Sequence, residues 1–239
     1  MEKSRILLII PAYNEEKNII NTVNSIKENK ENYDYIVIND GSKDNTLKVL
    51  QDNNINHINL IQNLGIGGAV QTGYKYAYYN GYDIAVQFDG DGQHDVNYVK
   101  NICQPIIDGN ANICIGSRYL DNSTSKFKST FMRRLGKNII SIMLRIFIRE
   151  KVTDPTSGFR AVDKNIIKLF AEDYPTDYPE PESLVNLNKA RYKIMEVPVS
   201  MNERKEGVSS IHAWKSISYM VKVSLAILID SLNKKKRVK

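Results

Sequence analysis

The segment RILLIIPAYNEEKNIINTVNSIKENKENYDYIVIND (residues 5–40) decides the fold. It contains two apolar runs, 5–10 and 34–40, separated by a stretch at 15–29 whose isoleucine and valine side chains recur at helical spacing. Both runs are apolar along their whole length, which is typical of strands buried on both faces of a parallel sheet. Because strand, helix and strand in succession form the unit of such a sheet, the segment predicts an α/β fold.

The same alternation continues as far as residue 119. Strands are predicted at 57–62, 82–90 and 112–119, and helices at 42–53, 67–81 and 96–109. We therefore expect a Rossmann-like, mostly parallel sheet with helices on both faces. Ligands of such sheets bind beyond the carboxyl ends of the strands. The segments that fall there are all polar or rich in glycine: PAYNEE, NDGS, NLGIGG, DGDGQH and GSRY.

The stretch FDGDGQH (88–94) carries the clearest chemistry at this edge. Alternate side chains of an extended segment share a face, so Asp89, Asp91 and Gln93 can converge, with glycines leaving room between them. Oxygen ligands of this kind suit Mg²⁺ or Mn²⁺. A turn without a metal is the alternative, but the place of the stretch at the ligand edge favours a cation. We interpret His94 as a structural hydrogen-bonding residue.

Two further edge segments have a structural and a functional interpretation. In NDGSKDNT (39–46), a serine or aspartate can cap the following helix, which leaves Asp40 to accept hydrogen bonds from a base or ribose. The segment NLGIGGAVQTG (63–73) lacks both the dinucleotide fingerprint and the lysine of a P-loop. Its glycines, Gly67 among them, would still let a donor approach the backbone closely.

Composition limits the classes of partner. The chain has 239 residues, 42% of them hydrophobic, and a formal net charge of +6, which points to an anionic partner. Its two cysteines, Cys103 and Cys114, lie apart in apolar surroundings and are interpreted as buried free thiols of a reducing compartment.

Hydropathy predicts a cytoplasmic chain whose membrane contact is peripheral. The N-terminal apolar run is too short for an export signal. No uncharged stretch reaches the roughly 18 to 20 residues of a spanning helix, and the best candidate, at 217–232, is interrupted by Lys222 and Asp230.

Taken in order along the chain, the motifs resemble those of the family-2 glycosyltransferases. They are PAYNEE, NDGS, NLGIGGA, DGDGQH, GSRY, DPTSGFRA and EVPVSMNERKEGVSS. The likeness is greatest to the branch of dolichol- and polyprenyl-phosphate sugar synthases. It implies a GT-A fold over residues 1–212, a nucleoside-diphosphate sugar donor, a divalent metal and inversion at the anomeric carbon. Residues 213–239 are predicted to form amphipathic helix and a polybasic tail.

The resemblance assigns donor residues position by position. Pro11, Tyr13 and Glu15 match the segment that lines the nucleoside pocket, and Asp40 matches the residue that contacts the base or ribose. One departure is Asn39, because the family commonly has two consecutive acids here.

It also assigns the groups that meet the donor diphosphate. The metal motif falls on Asp89 and Asp91, with Gln93 as third ligand. Arg204 matches a basic residue on a loop that clamps the diphosphate. A cation and an arginine placed there would stabilise the negative charge that grows on the leaving group, so Asp91 and Arg204 are catalytic candidates.

The stretch 118–151 favours a phosphate acceptor. It contains nine basic residues and only two acids, and includes FMRRLGKNIISIMLRIFI (131–148), which is apolar and cationic together. This pattern is typical of a helix at a membrane surface, although a core helix with solvated basic residues is the alternative. Arg118, with Arg133 or Arg134, resembles the acceptor-phosphate residues of the family. Asp154, the third catalytic candidate, would either orient the arginines or act as a base.

A hydroxyl acceptor would require a base. In YPEPESLV (178–185), Glu180 and Glu182 stand where many relatives carry an acid near the acceptor, but acids in the first turn of a helix are also sound capping chemistry. A lipid phosphate is already ionised at pH 7 and needs cations instead.

The C-terminus adds to the membrane interpretation. An apolar stretch at 211–232 precedes KKKRVK, and such a tail suits an anionic leaflet. Either the chain binds the membrane peripherally or a separate small membrane protein receives it. Nucleic acid fits worst as a partner, because the basic residues alternate with aliphatic rather than aromatic ones.

These observations predict transfer of a hexose or N-acetylhexosamine from a nucleotide sugar to a polyprenyl phosphate at the cytoplasmic membrane face. The alternatives are the same fold acting on a hydroxyl acceptor and a non-catalytic nucleotide-sugar-binding subunit of a membrane complex.

Overall fold

A seven-stranded sheet forms the centre of the protein. The structure is a computed structural model that describes residues 4–120, 131–147 and 151–202, together with residues 222, 223, 225 and 228. The strands are β1 (Ile6–Ala12), β2 (Asp34–Asn39), β3 (His57–Asn59), β4 (Ile84–Gln87), β5 (Ile113–Ser117), β6 (Arg160–Asp163) and β7 (Ile194–Pro198). Their order across the sheet is β3-β2-β1-β4-β6-β5-β7.

Helices connect the strands and cover the sheet. They are α1 (Ile19–Lys27), α2 (Thr46–Asp52), α3 (Gly65–Tyr79), α4 (Val99–Ile107), α5 (Phe131–Phe147), α6 (Lys164–Glu172) and α7 (Pro179–Lys189). A 3₁₀ turn at Val96–Tyr98 leads into α4. The first two crossovers, through α1 and α2, join neighbouring parallel strands, as the opening segment predicts.

The sheet is buried on both faces. Successive residues of β1 alternate between two cores, Leu7 and Ile9 facing one and Leu8 and Ile10 the other, and all four are fully buried. The first core is closed by α3, α5, α6 and α7, the second by α1, α2 and α4. Burial on both faces explains why the strands are apolar throughout.

The sheet is less regular than the sequence indicates. The prediction of an α/β fold with a mostly parallel sheet is confirmed, but β6 runs antiparallel to both neighbours and separates β4 from β5. A four-residue strand such as RAVD carries no signal of its direction, because it is too short for its sequence to distinguish the two orientations.

Close packing of α3 on the sheet depends on one glycine. A Cβ atom at Gly73 would lie 2.1 Å from the Cγ2 atom of Ile9 on β1. The helix can approach the strand only because no side chain intervenes.

Among the described residues, no helix is both long and apolar enough to cross a bilayer. Residues 213–239 lie outside the described part of the chain except for four positions, all of which are helical.

Candidate active site

The loop that follows β4 places two carboxylates at the carboxyl edge of the sheet. Asp91 Oδ1 accepts a hydrogen bond from the Gln93 backbone N–H at 3.0 Å, which closes a tight turn around Gly92. Thr22 of α1 donates to the Gly90 carbonyl at 3.1 Å and ties this turn to the first helix. The loop therefore has a fixed shape.

His94 holds the backbone of Asp89 and lies beside its carboxylate. The backbone N–H of Asp89 donates to Nδ1 of His94 at 2.9 Å, so the proton of the neutral ring is on Nε2, which lies 3.4 Å from Asp89 Oδ2. The ring stacks on Phe159 with centroids 4.6 Å apart. Burial lowers the pKa of His94 to about 4, so the ring is neutral near pH 7. The expectation that His94 makes a structural hydrogen bond is confirmed.

Three observations bear on whether these residues suit a divalent cation. The donor set consists of two carboxylates and an amide, the oxygen ligands that Mg²⁺ and Mn²⁺ prefer. A Cβ atom at Gly158 would lie 3.3 Å from both carboxylate oxygens of Asp89, so this glycine keeps the space beside them open. Within the described residues, no three His, Cys, Asp or Glu side chains are grouped to hold a metal, and Gln93 as third ligand stays a prediction. The residues fit the ion.

The predicted nucleoside segment follows β1. Pro11 is buried in β1, opposite Ile38 of β2, whereas Tyr13 is 41% exposed. The Glu15 backbone N–H is bound by Thr46 Oγ1 at 2.9 Å, which joins this loop to the start of α2.

Asn14, which the sequence interpretation missed, joins the same two loops. Its side-chain oxygen accepts from the Lys43 N–H at 2.8 Å, and its own N–H donates to Ser42 Oγ at 3.0 Å. Asn14 has a φ of 56°, in the left-handed region that asparagine tolerates better than most residues. The only sign of this role in the sequence is the position of an asparagine within the PAYNEE motif.

Asp40 organises the glycine-rich turn. It is only 3% exposed, and its Oδ1 accepts from the Leu64 N–H at 2.7 Å. Burial raises the pKa of Asp40, although hydrogen bonds from the backbone of Leu64 and Gly65 act in the opposite direction. Asp40 therefore has a structural partner at the place where contact with a base or ribose is predicted.

Asn39 has a structural reason to depart from the two acids common in the family. Its amide nitrogen donates to Asn59 Oδ1 at 2.6 Å, and its amide oxygen accepts from Ser42 Oγ at 2.6 Å. An amide can do both, whereas a carboxylate could only accept.

Gly67 lies in the first turn of α3 against another segment of backbone. A Cβ atom there would lie 2.3 Å from the Pro175 carbonyl oxygen and 2.5 Å from Thr176. This contact explains the glycine by packing. The predicted donor contact at Gly67 stays a prediction.

The half-buried Arg118 forms an ion pair with the buried Asp154 beyond the end of β5. Asp154 is fully buried, and its two oxygens accept from Nε and Nη2 of Arg118 at 2.7 and 2.8 Å. Burial lowers the pKa of Arg118, but the hydrogen bonds and charge of Asp154 outweigh it and raise the pKa above the usual value. The charge of Asp89 acts in the same direction, so the pair lies near Asp89.

This geometry favours one of the two roles considered for Asp154. A carboxylate that is fully buried and bound through both oxygens to a guanidinium is poorly placed to take a proton from a substrate. It holds Arg118 in one orientation, with the Nη1 side of the guanidinium directed away from Asp154.

Glu180, at the start of α7, borders a buried polar cluster. Burial raises its pKa, while the charge of the buried Arg160 and a hydrogen bond with Gln87 lower it. The charge of Asp89 also raises the pKa of Glu180, which places the two carboxylates in the same region. Gln87, the last residue of β4, is a further residue of this region that the sequence interpretation missed, and its buried Oε1 has no hydrogen-bond partner among the described residues.

The remaining predicted residues are placed only in part. Arg133 and Arg134 lie in the first turn of α5, but their side chains are outside the described part of the structure. Arg204 as a whole lies outside it. Glu182 is half-buried in the first turn of α7. The structure thus brings Asp89, Asp91, Gln93 and Arg118 to one edge, next to the segments predicted to bind the donor.

Comparison with known proteins identifies both the family and the fold. Residues 7–170 match the family model described as glycosyl transferase family 2. The UDP-N-acetylglucosamine–dolichyl-phosphate N-acetylglucosaminyltransferase of Methanococcus voltae is 39% identical, over 83% of this chain and 86% of that protein. The polyprenol monophosphomannose synthase of Mycolicibacterium smegmatis is 25% identical, over 92% of this chain and 86% of that protein.

A solved structure shares the architecture. Glucosyl-3-phosphoglycerate synthase from Mycobacterium tuberculosis, in complex with Mn²⁺, UDP and glucosyl-3-phosphoglycerate, has a TM-score of 0.70. The match covers 95% of this chain and 80% of that one, at 18% sequence identity. The predicted GT-A fold is confirmed.

The low pKa of His94 predicts that acid destabilises the fold. Because the folded pKa lies near 4 and the unfolded value near 6.5, the unfolded state binds the proton more tightly. As the pH falls from 7.5 to 5, protonation of His94 in the unfolded state should lower the free energy of unfolding by about 2 kcal/mol. Urea unfolding at the two pH values measures this loss.

The matched variants are His94→Asn, which keeps an acceptor for Asp89 but does not titrate, and His57→Asn on β3. The first should lose that part of the pH dependence and the second should keep it. Equal pH dependence in wild type and His94→Asn would contradict the assignment.

Proposed function

The chain belongs to glycosyl transferase family 2, and from this membership and its site we propose that it transfers one sugar from a nucleoside-diphosphate sugar to a polyprenyl phosphate, with inversion at the anomeric carbon. The observation that carries the proposal is the ion pair of Arg118 with the buried Asp154, near Asp89. A guanidinium held in one orientation is suited to bind the oxygens of a phosphate.

A phosphate acceptor simplifies the chemistry required of the protein. A phosphate monoester is ionised at pH 7, so its oxygen can attack the anomeric carbon without a base. The protein then has to bring two anions together, the donor diphosphate and the acceptor phosphate, and to offset their repulsion. Arg118 supplies positive charge on the acceptor side, and Arg133 and Arg134 are proposed to add to it.

A divalent cation is proposed on the donor side. Asp89, Asp91 and Gln93 would hold Mg²⁺ or Mn²⁺, which when bound stabilises the charge that develops on the departing diphosphate. The hydrogen bond to His94 holds the Asp89 backbone, and Nε2 of the ring lies 3.4 Å from the Asp89 carboxylate that is proposed for this role. Arg204 is proposed to share the same charge from a neighbouring loop.

The relatives support this choice of substrates. One, 39% identical, is named for transfer of N-acetylglucosamine to dolichyl phosphate, and another for the synthesis of polyprenol monophosphomannose. We therefore propose a hexose or N-acetylhexosamine as the sugar, with UDP-N-acetylglucosamine the first donor to test. No observation supports a separate membrane protein as partner.

Transfer to a hydroxyl is the second candidate. The observation that favours it is Glu180, a carboxylate near Asp89 whose pKa is raised by burial, as expected of a general base. The two candidate functions differ in whether the acceptor carries a phosphate or a hydroxyl. Acceptors that differ only in this group therefore distinguish between them.

We also propose peripheral contact with the cytoplasmic face of a membrane through α5. Ile139, Ile142 and Ile146 recur at helical spacing and are 37%, 57% and 66% exposed, while Ile140 and Leu144 on the other side are buried. An exposed aliphatic stripe in a basic segment suits an anionic lipid surface.

The transfer reaction tests the proposed function directly. The full chain is incubated with Mn²⁺, each of several nucleotide sugars, and either a polyprenyl phosphate or the polyprenol of equal chain length, and the products are identified by mass spectrometry. We expect a sugar-bearing product only with the phosphate.

Asp91→Asn should lower kcat about 10²-fold or more, because it removes a carboxylate proposed to hold the cation. Asp108→Asn, an exposed aspartate at the end of α4, is the control.

Two other outcomes of this assay would each replace the proposed function. Product only with the polyprenol would replace the lipid-phosphate acceptor by a hydroxyl, and Glu180→Gln should then abolish transfer. Donor binding without transfer to either acceptor would indicate a non-catalytic nucleotide-sugar-binding subunit.

The contact through α5 predicts that a charge in the aliphatic stripe weakens membrane binding. Ile142→Asp should lower the affinity for vesicles that contain anionic lipid by about tenfold, since the apolar side chain no longer enters the interface. Co-sedimentation with vesicles measures this affinity. Ile61→Asp, a fully exposed isoleucine beyond β3, should bind as wild type does. Equal binding by the Ile142 and Ile61 variants would remove α5 as the contact.

A further inference from the structure

Glu196 of β7 is bound to the loop that carries Asp154. It lies opposite Ile115 in the parallel pairing of β5 with β7. Its two carboxylate oxygens accept from consecutive backbone N–H groups, Oε2 from Thr153 at 2.7 Å and Oε1 from Asp154 at 2.9 Å. Glu196 therefore fixes the backbone at the residue whose side chain holds Arg118.

The contacts form one continuous path from β7 to the guanidinium. Glu196 holds the backbone of Asp154, and the Asp154 carboxylate holds Nε and Nη2 of Arg118. The Arg118 backbone N–H also donates to Asp154 Oδ2 at 3.2 Å. The Asp154 carboxylate therefore binds both the main chain and the side chain of the arginine. A shift of the loop at 153–154 would move the guanidinium.

The surroundings of Glu196 disfavour its ionised form, and the two backbone hydrogen bonds offset this cost. Burial raises its pKa, and the nearby charge of Asp154 raises it further, while the hydrogen bonds from the two backbone N–H groups lower it. Glu196 and Asp154 are thus two neighbouring acids, and Arg118 is the cation bound to Asp154. A neutral residue at Glu196 would avoid the repulsion but would lose the pair of hydrogen bonds.

We propose that Glu196 is a positioning residue for the acceptor phosphate, which it serves by holding the loop at 153–154 and so setting the orientation of Arg118. The inference rests on the proposed function, since it requires that Arg118 bind the acceptor. It assigns to the strand β7 a part in acceptor binding, although Glu196 itself touches no substrate.

The chemistry of the two backbone N–H groups explains why a carboxylate is needed. Each N–H group takes a different oxygen, and a carboxylate offers two. A glutamine has one oxygen, so its NH₂ group would face a backbone N–H and two donors would oppose each other. Glu196→Gln is therefore nearly isosteric but should displace the loop.

Steady-state kinetics of the full chain tests the proposal. Glu196→Gln should raise the KM for a polyprenyl phosphate about tenfold to a hundredfold, because a displacement of about 1 Å at a binding group has effects of this size. The KM for the nucleotide sugar should stay within about twofold of the wild-type value. Glu172→Gln, an exposed glutamate at the end of α6, is the matched control and should leave both constants unchanged.

A double-mutant cycle adds a readout that a merely structural role would not produce. In an Asp154→Asn background, Glu196→Gln should raise the acceptor KM by less than about twofold, since both changes act through the same guanidinium. Thermal unfolding of each variant shows whether it is folded at the assay temperature.

The outcomes separate the two levels of the proposal. No transfer by wild type to any polyprenyl phosphate overturns the proposed function and this inference with it. If wild type transfers and Glu196→Gln has an unchanged acceptor KM, the inference alone is overturned. Equal changes in both KM values, or independent effects in the cycle, would mean that Glu196 only stabilises the fold and would also overturn it.

Discussion

The bidentate hydrogen bonds between Arg118 and Asp154, at 2.7 and 2.8 Å, are the interaction on which the arrangement of the site depends. Removing two charges from water is costly, and only good geometry with further hydrogen bonds offsets that cost. Here the pair has both, because Glu196 fixes the backbone of Asp154 and Thr156 accepts from Arg118 at 3.3 Å. The result is a cation of fixed orientation beside a loop of carboxylates.

The same constraint recurs along the whole edge of the sheet. Three of its acids are held by groups that fix their positions: Asp40 by the Leu64 N–H, Asp89 through its own backbone N–H by His94, and Glu196 by two backbone N–H groups. The contact of Asp40 joins the loops that follow β2 and β3, and that of Glu196 joins β7 to the loop that precedes β6. A parallel sheet brings strand ends together, but the hydrogen bonds between the loops give the site its shape, and we consider that shape the basis for binding two anionic substrates.

Much of the fold and some of the site could be predicted from the sequence. Strands and helices up to residue 119 are evident because burial on both faces leaves continuous apolar runs, and DGDGQH stands out as acids directly after such a run. The antiparallel direction of β6 could not be predicted, since direction leaves no trace in a four-residue strand. Nor could the environments of Glu196 and Gln87, because a polar residue within a strand pattern gives no sign of which loop lies beside it. The packing of Gly67 against Pro175 depends in the same way on a contact distant in sequence.

The central claim is that the acceptor oxygen belongs to a phosphate and that the sugar alone is transferred. Phosphorus NMR of the purified lipid product tests it most directly. We predict that the monoester signal of the polyprenyl phosphate is replaced by a single phosphodiester signal, with release of a nucleoside diphosphate. A lipid diphosphate with release of a nucleoside monophosphate, or an unchanged monoester with the sugar attached elsewhere, would contradict this account.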